Sequence, residues 1–429
     1  MISQPLSFIE DLNARGLIAQ ITNMEGICQL LAEGETRMYI GFDPTADSLH
    51  IGSLLPLVVL ARLQRQGHRP IIVVGGATGM VGDPSGRSGE RQLLSLEAIA
   101  ENLAALRRQI AGIIDFEGKY AAIMVDNLEW TSRFTYLDWL RDVGKYFTIN
   151  YMVAKESVRA RMEDREQGIS YTEFSYMLLQ AYDFLHLFDH YGCRIQGGGQ
   201  DQWGNITAGI DLIRRLRGQE AYGITFPLIT TASGEKFGKS LGNAVWLDPA
   251  RTSPFQFYQY WMRTDDRDME RYLKMFTFLD LIQIQELLSE QDQAPEKRIP
   301  HTALANELTR MIHGADGLSK AQQATAVLYG KEISGLTDEE LSDIFADVPS
   351  TQVSRAILEA GIRLDDLLKL TSVFPSKGEA RRRIQAGGVY VNNRRETYPE
   401  RVLRPDMLAS RSLLVLRTGK AHYHLVRFV

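Results

Sequence analysis

The sequence is poor in cysteine and has no long uninterrupted apolar run. Cys28 and Cys193 are the only cysteines among 429 residues, and they lack the spacing of zinc ligands. We therefore expect neither a disulfide framework nor a structural metal. No apolar run reaches the roughly 18 residues that a bilayer crossing requires, and the first residues show no signal-peptide core. These features predict a cytoplasmic protein without a membrane partner.

Charge is distributed unevenly along the chain. The formal net charge is −5 at pH 7, but residues 363–429 hold 14 Lys and Arg against 6 Asp and Glu. Residues 1–362 are acidic, with 34 basic and 47 acidic side chains. A basic tail on an acidic body predicts a polyanionic partner for the tail. A merely solvated basic face is the alternative.

Residues 37–53, RMYIGFDPTADSLHIGS, predict a strand followed by a tight turn and a helix. Met38, Ile40 and Phe42 alternate with the residues between them, which is the period of a strand. Asp43 and Pro44 then form a turn, since proline fixes its own φ and keeps the preceding residue out of the helical region.

The helix that follows is predicted to begin with a cap at Asp47 or Ser48. A helix N-terminus carries unpaired N–H groups and a partial positive charge, which suit a polyphosphate. His50 is placed to donate a hydrogen bond to a phosphate, and Gly52 would let a purine lie against the backbone. An ordinary βα unit with one surface histidine remains the alternative for these residues alone.

Glycine-rich segments follow two further predicted strands. The strand Ile71–Val74 leads into GGATGMVGDPSGR, in which Asp83 is the fixed anion, and the strand Cys193–Gln196 leads into GGGQDQWGN with Asp201 and Gln202. In open α/β sheets, ligands bind at the carboxyl ends of the strands. These segments are therefore candidate ligand loops.

A third loop follows the predicted strand Ile224–Thr230. It reads TASGEKFGKSLGNAV and carries Lys236 and Lys239. Taken alone, it is typical of a solvated surface loop. After the last strand of a nucleotide-binding sheet, it can instead close over phosphates.

A predicted strand at Ala121–Val125 precedes a helical segment from Trp130 to His190. Within this segment, Tyr176, Gln180 and Asp183 are spaced i, i+4 and i+7, so they share one helical face. A polar face among large apolar neighbours indicates a lined pocket, with a solvent-facing stripe as the alternative.

The basic tail contains SKGEARRRIQAGGVYVNNRR. This segment predicts a short helix, a strand around Val389–Val391 and a turn at Asn392-Asn393. Its basic residues can pair with successive phosphates of a nucleic acid. The residues concerned are Lys377, Arg381, Arg382 and Arg383.

Five of these segments carry a family resemblance. YIGFDPTADSLHIGS closely resembles the first signature of bacterial tyrosyl-tRNA synthetases, class I enzymes with the HIGH motif, although Ser53 replaces the second histidine. GGATGMVGDPSGR, TEFSYMLLQAYD, QGGGQDQWGN and KFGKS resemble the remaining signatures in the same order. KFGKS corresponds to the KMSKS-type loop of the family. The basic tail resembles a small RNA-binding module shared with a ribosomal protein.

The resemblance implies an α/β fold. We expect a Rossmann-like parallel-sheet catalytic domain with a helical insertion, then an all-helical domain, and then a small C-terminal α+β RNA-binding domain. The expected bounds are 1–248 for the catalytic domain with its insertion at about 130–190, 249–332 for the helical anticodon-side domain, 333–362 for a linker and 363–429 for the RNA-binding domain.

The activity implied by the resemblance is that of tyrosine–tRNA ligase. The enzyme would activate L-tyrosine with ATP to tyrosyl-adenylate and transfer tyrosine to the 3′ end of tRNA(Tyr). Mg²⁺ would be bound through the ATP phosphates, without a structural metal, and a homodimer is expected.

The resemblance also assigns roles to residues. The implied catalytic residues are His50, Lys236 and Lys239, which would stabilise charge on the leaving pyrophosphate. The implied tyrosine-binding residues are Tyr39, Asp83, Tyr176, Gln180, Asp183 and Gln202. The implied ATP-binding residues are Gly41, Asp43, Thr45, His50, Gly52, Ser53, Gly199, Asp201, Lys236 and Lys239, with Arg87 and Arg91 as further candidates near the phosphates.

Two alternatives remain open at this point. A tryptophanyl-tRNA synthetase would share the nucleotide loops but has no need for the pair Tyr39 and Asp183 to read a phenol. A non-catalytic RNA-binding descendant of a synthetase is favoured by Ser53 and opposed by Asp83, Lys236 and Lys239.

Overall fold

The computed structural model describes residues 6–85, 94–163, 168–232, 237–240, 243–419 and 422–429. The chain divides into two compact units. One comprises Met1–Arg251 with Arg263–Ile312, and the other comprises Thr252–Met262 with His313–Val429. The boundaries between these units fall within residues 249–332, the expected helical domain. The expected domain bounds at 248, 332 and 362 stay predictions.

The first unit contains a mixed sheet with the strand order β1-β6-β5-β2-β3-β4. Neighbouring strands from β6 to β4 run parallel, while β1 is antiparallel to β6. The strands are β1 (Gln20–Ile21), β2 (Arg37–Phe42), β3 (Arg69–Val74), β4 (Ile123–Asp126), β5 (Ile195–Gly199) and β6 (Tyr222–Phe226). The strand β3, which lies between β2 and β4, is buried along most of its length, as expected for a strand covered on both faces.

Helices surround this sheet. Those before the KFGKS loop are α1 (Phe8–Ala14), α2 (Met24–Ala32), α3 (Leu54–Arg65), α4 (Thr78–Val81), α5 (Leu96–Ile110), α6 (Leu128–Thr131), α7 (Tyr136–Asp142), α8 (Ile149–Val153), α9 (Glu156–Glu163), α10 (Tyr171–Tyr191) and α11 (Trp203–Arg217). The helices α6 to α10 confirm the predicted helical segment between Trp130 and His190. Within the described residues, no helix combines the length and apolar character that a bilayer crossing needs.

The structure corrects the bounds of two predicted strands. The strand expected at Cys193–Gln196 begins later and runs into the glycines as β5, because Gly192 ends α10 in the left-handed conformation (φ 60°) just before it. The strand expected at Ile224–Thr230 begins earlier, at Tyr222, and ends at Phe226. Pro227 follows at once, and proline cannot donate a ladder hydrogen bond.

The KFGKS segment and the helical region expected at residues 249–332 follow. A short antiparallel pair, β7 (Lys239–Ser240) and β8 (Asn243–Ala244), lies in the loop. The helices beyond it are α12 (Pro254–Met262), α13 (Met269–Phe276), α14 (Leu281–Gln293) and α15 (Ile299–Leu328). They confirm the helical prediction, and α15 is interrupted at Gly314, whose φ is 72°.

The second unit is an α+β fold around a sheet with the order β12-β11-β14-β15-β9. Its helices after α15 are α16 (Asp338–Ile344), α17 (Arg355–Ala360), α18 (Leu364–Leu370) and α19 (Lys377–Gln385). Its strands are β9 (Ser350–Val353), β10 (Ile362–Arg363), β11 (Val389–Val391), β12 (Arg394–Glu396), β13 (Val402–Leu403), β14 (Leu413–Thr418) and β15 (His422–Phe428). The predicted short helix, strand and Asn392-Asn393 turn are confirmed by α19, β11 and two positive φ angles.

Residues 333–362, the segment expected to form a linker, contain helices and a paired strand in the structure. The strand β9 pairs in parallel with β15, and Val353 lies opposite Phe428 in the core of the second unit. Polar residues of this segment contribute to a helix cap. Thr337 and Glu340 make a capping box for α16.

Candidate active site

Tyr39 lies in β2, in register with Ile71 of β3 and Gln196 of β5. Its side chain is 1% exposed, and its ring packs against Phe184 with centroids 5.3 Å apart. No group in the described part of the chain hydrogen-bonds its buried hydroxyl. Burial, followed by the charge of Asp183, raises the pKa of Tyr39 well above its ordinary value. The hydroxyl therefore stays protonated, and a ligand acceptor would relieve the cost of leaving it unpaired.

Asp183 is the second group of this pocket. It is buried on α10, where one carboxylate oxygen accepts from Asn127 Nδ2 at 2.9 Å and the other from Trp130 Nε1 at 2.8 Å. Burial raises its pKa to about 7, although these two hydrogen bonds oppose the shift. Asp183 is thus a fixed acceptor, held in place on both of its oxygens.

A neighbouring network joins α10 to the end of β2. The Tyr176 hydroxyl donates to Asp43 Oδ2 at 3.1 Å, and Thr78 Oγ1 donates to Asp43 Oδ1 at 2.8 Å. A Cβ at Gly75 would lie 2.3 Å from both Asp43 Oδ1 and Thr78 Oγ1, so only glycine fits there. The glycine-rich loop therefore brings its backbone against the Asp43 carboxylate.

Asp83 is held by a second network. It accepts from the backbone N–H of Ser85 at 2.9 Å and from Gln202 Nε2 at 2.6 Å. Asn205 Nδ2 lies 3.0 Å from Gln180 Oε1 and 3.2 Å from Gln202 Oε1, which joins these residues. Burial raises the pKa of Asp83 to about 6, with a smaller contribution from the charge of Asp43. This network thus joins three of the residues predicted to bind tyrosine, Asp83, Gln180 and Gln202.

His50 occupies a different position from the one expected. A 3-10 turn, Ile51–Ser53, precedes α3, and His50 itself caps it by accepting the Gly52 N–H on Nδ1 at 2.9 Å. The predicted caps Asp47 and Ser48 are therefore wrong. Because Nδ1 is the acceptor, the neutral ring carries its proton on Nε2, which can donate to a phosphate.

The space beside Gly52 is taken by this imidazole. A Cβ at Gly52 would lie 2.7 Å from His50 Cε1, so glycine is needed for the cap to form. A purine could lie there only if the ring moved. The side chain of Ser53 makes no capping hydrogen bond in the described structure, and its backbone N–H donates to the His50 carbonyl at 2.8 Å.

The KFGKS loop is described in part. Lys236 lies outside the described residues, as do Arg87 and Arg91, and only the backbone of Lys239 is described. Phe237 is buried, and its ring stacks on Phe276 of α13 with centroids 5.4 Å apart and planes 10° apart. This contact anchors the start of the hairpin on α13.

The segment after the hairpin lies beside His50. The Val245 N–H donates to the Gly238 carbonyl, and the Ile51 N–H donates to the Val245 carbonyl, each at 2.9 Å. His50 and Trp246 form an antiparallel bridge. The two predicted phosphate-binding segments are therefore neighbours.

The other predicted ATP residues lie at the ends of β2 and β5. Gly41 is exposed in β2, and Thr45 follows in the turn, where its N–H donates to the Asp43 carbonyl at 2.9 Å. Gly199 ends β5, where a Cβ would lie 2.4 Å from Asp201 Oδ1. These strands are adjacent and parallel, so their carboxyl ends form one edge, where nucleotides bind in such sheets.

Comparison with known proteins decides the family. Residues 31–330 match the family of class I tRNA synthetases for tryptophan and tyrosine (W and Y), and residues 340–426 match the SYY-like C-terminal domain of tyrosine–tRNA ligase. The tyrosine–tRNA ligase of Roseiflexus castenholzii is 50% identical over 99% of this chain and 100% of its own length. That of Rhodopirellula baltica is 50% identical over 98% of this chain and 96% of its own length. The chain belongs to the tyrosine–tRNA ligases.

Solved structures agree with this family. A C-terminally truncated mitochondrial tyrosyl-tRNA synthetase of Aspergillus nidulans covers 76% of this chain and 95% of its own, with a TM-score of 0.69 and 34% identity. A tryptophanyl-tRNA synthetase of Encephalitozoon cuniculi covers 78% of this chain and 90% of its own. Its TM-score of 0.53 and 13% identity show a shared fold alone. The family assignment and the predicted α/β fold are confirmed, and the tryptophanyl alternative is not supported.

Several residues of this ligase site were not predicted. Asn127 and Trp130 hold Asp183, and Asn127 also donates to Thr78 Oγ1 at 3.1 Å. The sequence does hold a signal for Asn127, because it lies two residues after the predicted strand Ala121–Val125, at the carboxyl end where ligands bind. Gln196 was also missed. It is 1% exposed beside Tyr39 in the sheet, and its Oε1 has no partner in the described residues.

The predicted RNA-binding residues of the ligase all lie on α19 and are exposed. Two of the four have carboxylate partners. Lys377 pairs with Asp366, and Arg381 Nε lies 2.7 Å from Oδ2 of the buried Asp365. Arg382 and Arg383 are therefore the better candidates for phosphate contacts.

Proposed function

We propose that the enzyme condenses L-tyrosine with ATP and then transfers tyrosine to tRNA(Tyr). The observation that carries this proposal is the buried Tyr39 hydroxyl, which has no hydrogen-bond partner in the described residues. The charge of Asp183 contributes to raising the pKa of Tyr39. A substrate phenol can accept from Tyr39 and donate to Asp183. Phenylalanine would leave the Tyr39 hydroxyl unpaired, which is costly in a buried site, and would offer no donor to Asp183.

The other end of the amino acid is proposed to lie at Asp83. An α-ammonium group fits beside a buried carboxylate whose pKa is raised, because a cation favours the ionised form. Tyr176 and Gln180 lie on the same face of α10 as Asp183 and would complete this ammonium site. Gln202, which donates to Asp83, is proposed to complete the tyrosine-binding set.

In the first step, a carboxylate oxygen of tyrosine attacks the α-phosphorus of ATP. A new P–O bond forms as the bond to the leaving pyrophosphate breaks, giving tyrosyl-adenylate. Such a displacement depends on positioning and charge stabilisation. His50 would donate from Nε2 to the departing phosphates, and Lys236 and Lys239 would neutralise their charge. A terminal ribose hydroxyl of the tRNA then attacks the tyrosyl carbonyl and releases AMP.

ATP would lie along the edge formed by β2 and β5, over the predicted residues Gly41, Thr45, Gly199 and Asp201, with Gly52 and Ser53 nearer the phosphates. Within the described residues, no three His, Cys, Asp or Glu side chains are grouped as metal ligands. Both carboxylate oxygens of Asp43 accept protein hydrogen bonds. Mg²⁺ is proposed to be held chiefly by the ATP phosphates, whose charge it would screen when bound.

A homodimer is proposed from an apolar surface around α7. Large apolar side chains are exposed there, and the hydroxyls of Tyr136 and Tyr171 lie 3.5 Å apart, so α7 and the start of α10 share one face. Leu137 of α7 is 75% exposed, and Ile149 begins α8 at 62% exposed. A second copy of the chain would cover such a surface. The proposed location is the cytoplasm, where tRNA is charged for protein synthesis.

The deciding experiment is ATP–pyrophosphate exchange with each of the twenty amino acids. Exchange that depends on tyrosine alone is expected. Exchange that depends on tryptophan would instead support a tryptophanyl-tRNA synthetase. No exchange with any amino acid would favour the non-catalytic RNA-binding protein.

A further inference from the structure

Gln109 lies in the last turn of α5 and outside every segment that resembles the family signatures. Its side-chain amide contacts two separate stretches of chain. Oε1 accepts from the Leu49 N–H at 2.9 Å, and Nε2 lies 3.3 Å from the Asp47 carbonyl and 3.5 Å from Asp248 Oδ2. Ser48 Oγ lies 3.3 Å from Oε1. Both the oxygen and the nitrogen of the amide therefore form hydrogen bonds.

The two stretches joined by Gln109 are those that flank the proposed phosphate site. Residues 47–49 lead directly into His50, and residues 245–248 directly follow the KFGKS hairpin. They pair over a short length, because the Leu247 N–H donates to the Leu49 carbonyl at 2.8 Å and the Ile51 N–H to the Val245 carbonyl at 2.9 Å. The Asp248 N–H also donates to Ser48 Oγ at 3.1 Å.

The apolar side chains of this pairing, those of Leu49, Ile51, Val245 and Leu247, are buried. A cavity of about 210 Å³ lies beside Gln109, lined among others by Arg108, Gly112, Leu247 and Asp248. On this side, the amide of Gln109 adds hydrogen bonds to both stretches, to Leu49 and to Asp248. It is therefore a polar restraint on where residues 47–51 lie relative to residues 245–248.

We propose that Gln109 is a positioning residue for adenylate formation, which acts by holding His50 against the base of the KFGKS hairpin. This inference rests on the proposed function. The described hydrogen bonds of the Gln109 side chain go to residues 47–49 and 248, and none of these residues belongs to the proposed tyrosine pocket. Its loss should therefore affect the chemical step and leave tyrosine binding unchanged.

The test uses Gln109→Met in the full-length enzyme, because methionine keeps the length of the side chain and removes the amide. We expect kcat for tyrosine-dependent pyrophosphate exchange to fall about tenfold, which is about 1.4 kcal/mol of transition-state stabilisation. The Kd for tyrosine, measured by fluorescence without ATP, should change less than about twofold. Arg108→Ala, an exposed change on the same helix and the same cavity, is the matched control and should keep the parental kcat.

A double-mutant cycle shows whether Gln109 acts through His50. In a His50→Ala background, Gln109→Met should cost less than about twofold in kcat, because the group it positions is already gone. A full tenfold loss in both backgrounds would overturn the proposal, as would a parental kcat in the single variant or an equal weakening of tyrosine binding. If the parent enzyme lacks tyrosine-dependent exchange, the proposed function fails with it. If the parent enzyme is active, the ratio of the variant kcat to the parental kcat tests the role of Gln109 separately from the proposed function.

Discussion

Trp130 Nε1 donates a hydrogen bond to Asp183 Oδ1 at 2.8 Å, in a pocket where both groups are buried. Trp130 belongs to the short helix after β4, and Asp183 lies in the middle of α10. The contact therefore fixes the carboxylate from a segment remote in sequence. With Asn127 on the other oxygen, Asp183 cannot rotate away from the pocket, which favours a single geometry for the substrate phenol.

Substrate choice is the first prediction. Asp183→Asn and Tyr39→Phe should each reduce the preference for tyrosine over phenylalanine, measured as the ratio of kcat/KM values. The Asp183 change should be larger, since a hydrogen bond to a charged group contributes about 1.5–3 kcal/mol. Tyrosyl-tRNA synthetases are themselves the established example of a site that rejects phenylalanine through the substrate hydroxyl.

Stability provides a cross-check on the Tyr39 variant. Tyr39→Phe removes a buried hydroxyl that has no partner in the described residues, so the ligand-free protein should melt at the same temperature or higher. Tyr182→Phe on α10 is the control and should leave the preference unchanged. Parental preference in both pocket variants would remove Tyr39 and Asp183 from substrate recognition.

The second prediction concerns pH and the free energy of unfolding. The pKa of Asp183 is raised from 3.8 to about 7 in the folded protein. Between these values the folded state keeps a proton that the unfolded state has lost, so this contribution to stability is full below pH 3.8 and is lost as the pH rises through about 7.

Asp183→Asn removes this titration. The stability of the variant relative to the parent should therefore improve between pH 5 and pH 8, by an amount on the order of a few kcal/mol. Urea unfolding of the ligand-free proteins at both pH values measures it. The pKa of Asp83 is also raised. Because Asp83 is present in both proteins, its contribution cancels in the difference between their free energies of unfolding. An unchanged difference would mean that Asp183 is ionised throughout.

The KFGKS lysines give the third prediction. Lys236→Ala and Lys239→Ala should slow adenylate formation while barely changing the Kd for tyrosine, because their proposed contacts form with the departing pyrophosphate. Pre-steady-state rates and equilibrium binding separate the two effects. Lys119→Ala, an exposed change elsewhere in the first unit, should match the parent. Equal losses in rate and binding would exclude the proposed role.

The sequence predicted best what depends on local spacing. Strands β2, β3 and β4 follow from short apolar runs, and the shared face of Tyr176, Gln180 and Asp183 follows from the period of one helix. The order of the family segments also led to the correct family. Each of these inferences needs only neighbouring residues.

Contacts between residues distant along the chain could not be predicted from the sequence. The composition around Trp130 carries no sign of a partner on α10, and the polar segment before β9 does not show that this strand pairs with β15 near the chain end. His50 was placed inside the helix because Asp47 and Ser48 are good caps by residue type. His50 is the cap instead, because its imidazole accepts a hydrogen bond from the Gly52 N–H. Statistical cap preferences by residue type do not predict this hydrogen bond.

Ser53 and His50 are the subject of the fourth prediction. Since the Ser53 side chain makes no capping bond in the described structure, Ser53→Ala should cost little in adenylate formation, and Ser53→His should be neutral or faster. His50→Ala should be clearly slower than either. His50→Asn keeps a side chain that can cap the turn, so it should retain stability and still lose rate. A Ser53→Ala enzyme as slow as His50→Ala would make the hydroxyl a catalytic group.

The last prediction concerns the basic helix α19. A truncation near Arg363 is unsuitable, because it would leave β9 without its partner β15 in the core of the second unit. Arg381→Ala is unsuitable as well, since it removes a partner of the buried Asp365. Arg382 and Arg383 are exposed, so their replacement by alanine tests phosphate contacts without disturbing the fold.

The Arg382→Ala/Arg383→Ala enzyme should bind tRNA more weakly and keep tyrosine-dependent pyrophosphate exchange at the parental rate. Each lost phosphate contact reduces the slope of log K against log salt by about 1, so titrations at several salt concentrations should give a flatter line. A matched control, Lys119→Ala/Arg107→Ala, removes two exposed charges from the first unit and should keep the parental slope. If both double variants weaken tRNA binding equally, the effect is one of net charge, and α19 is not the contact surface.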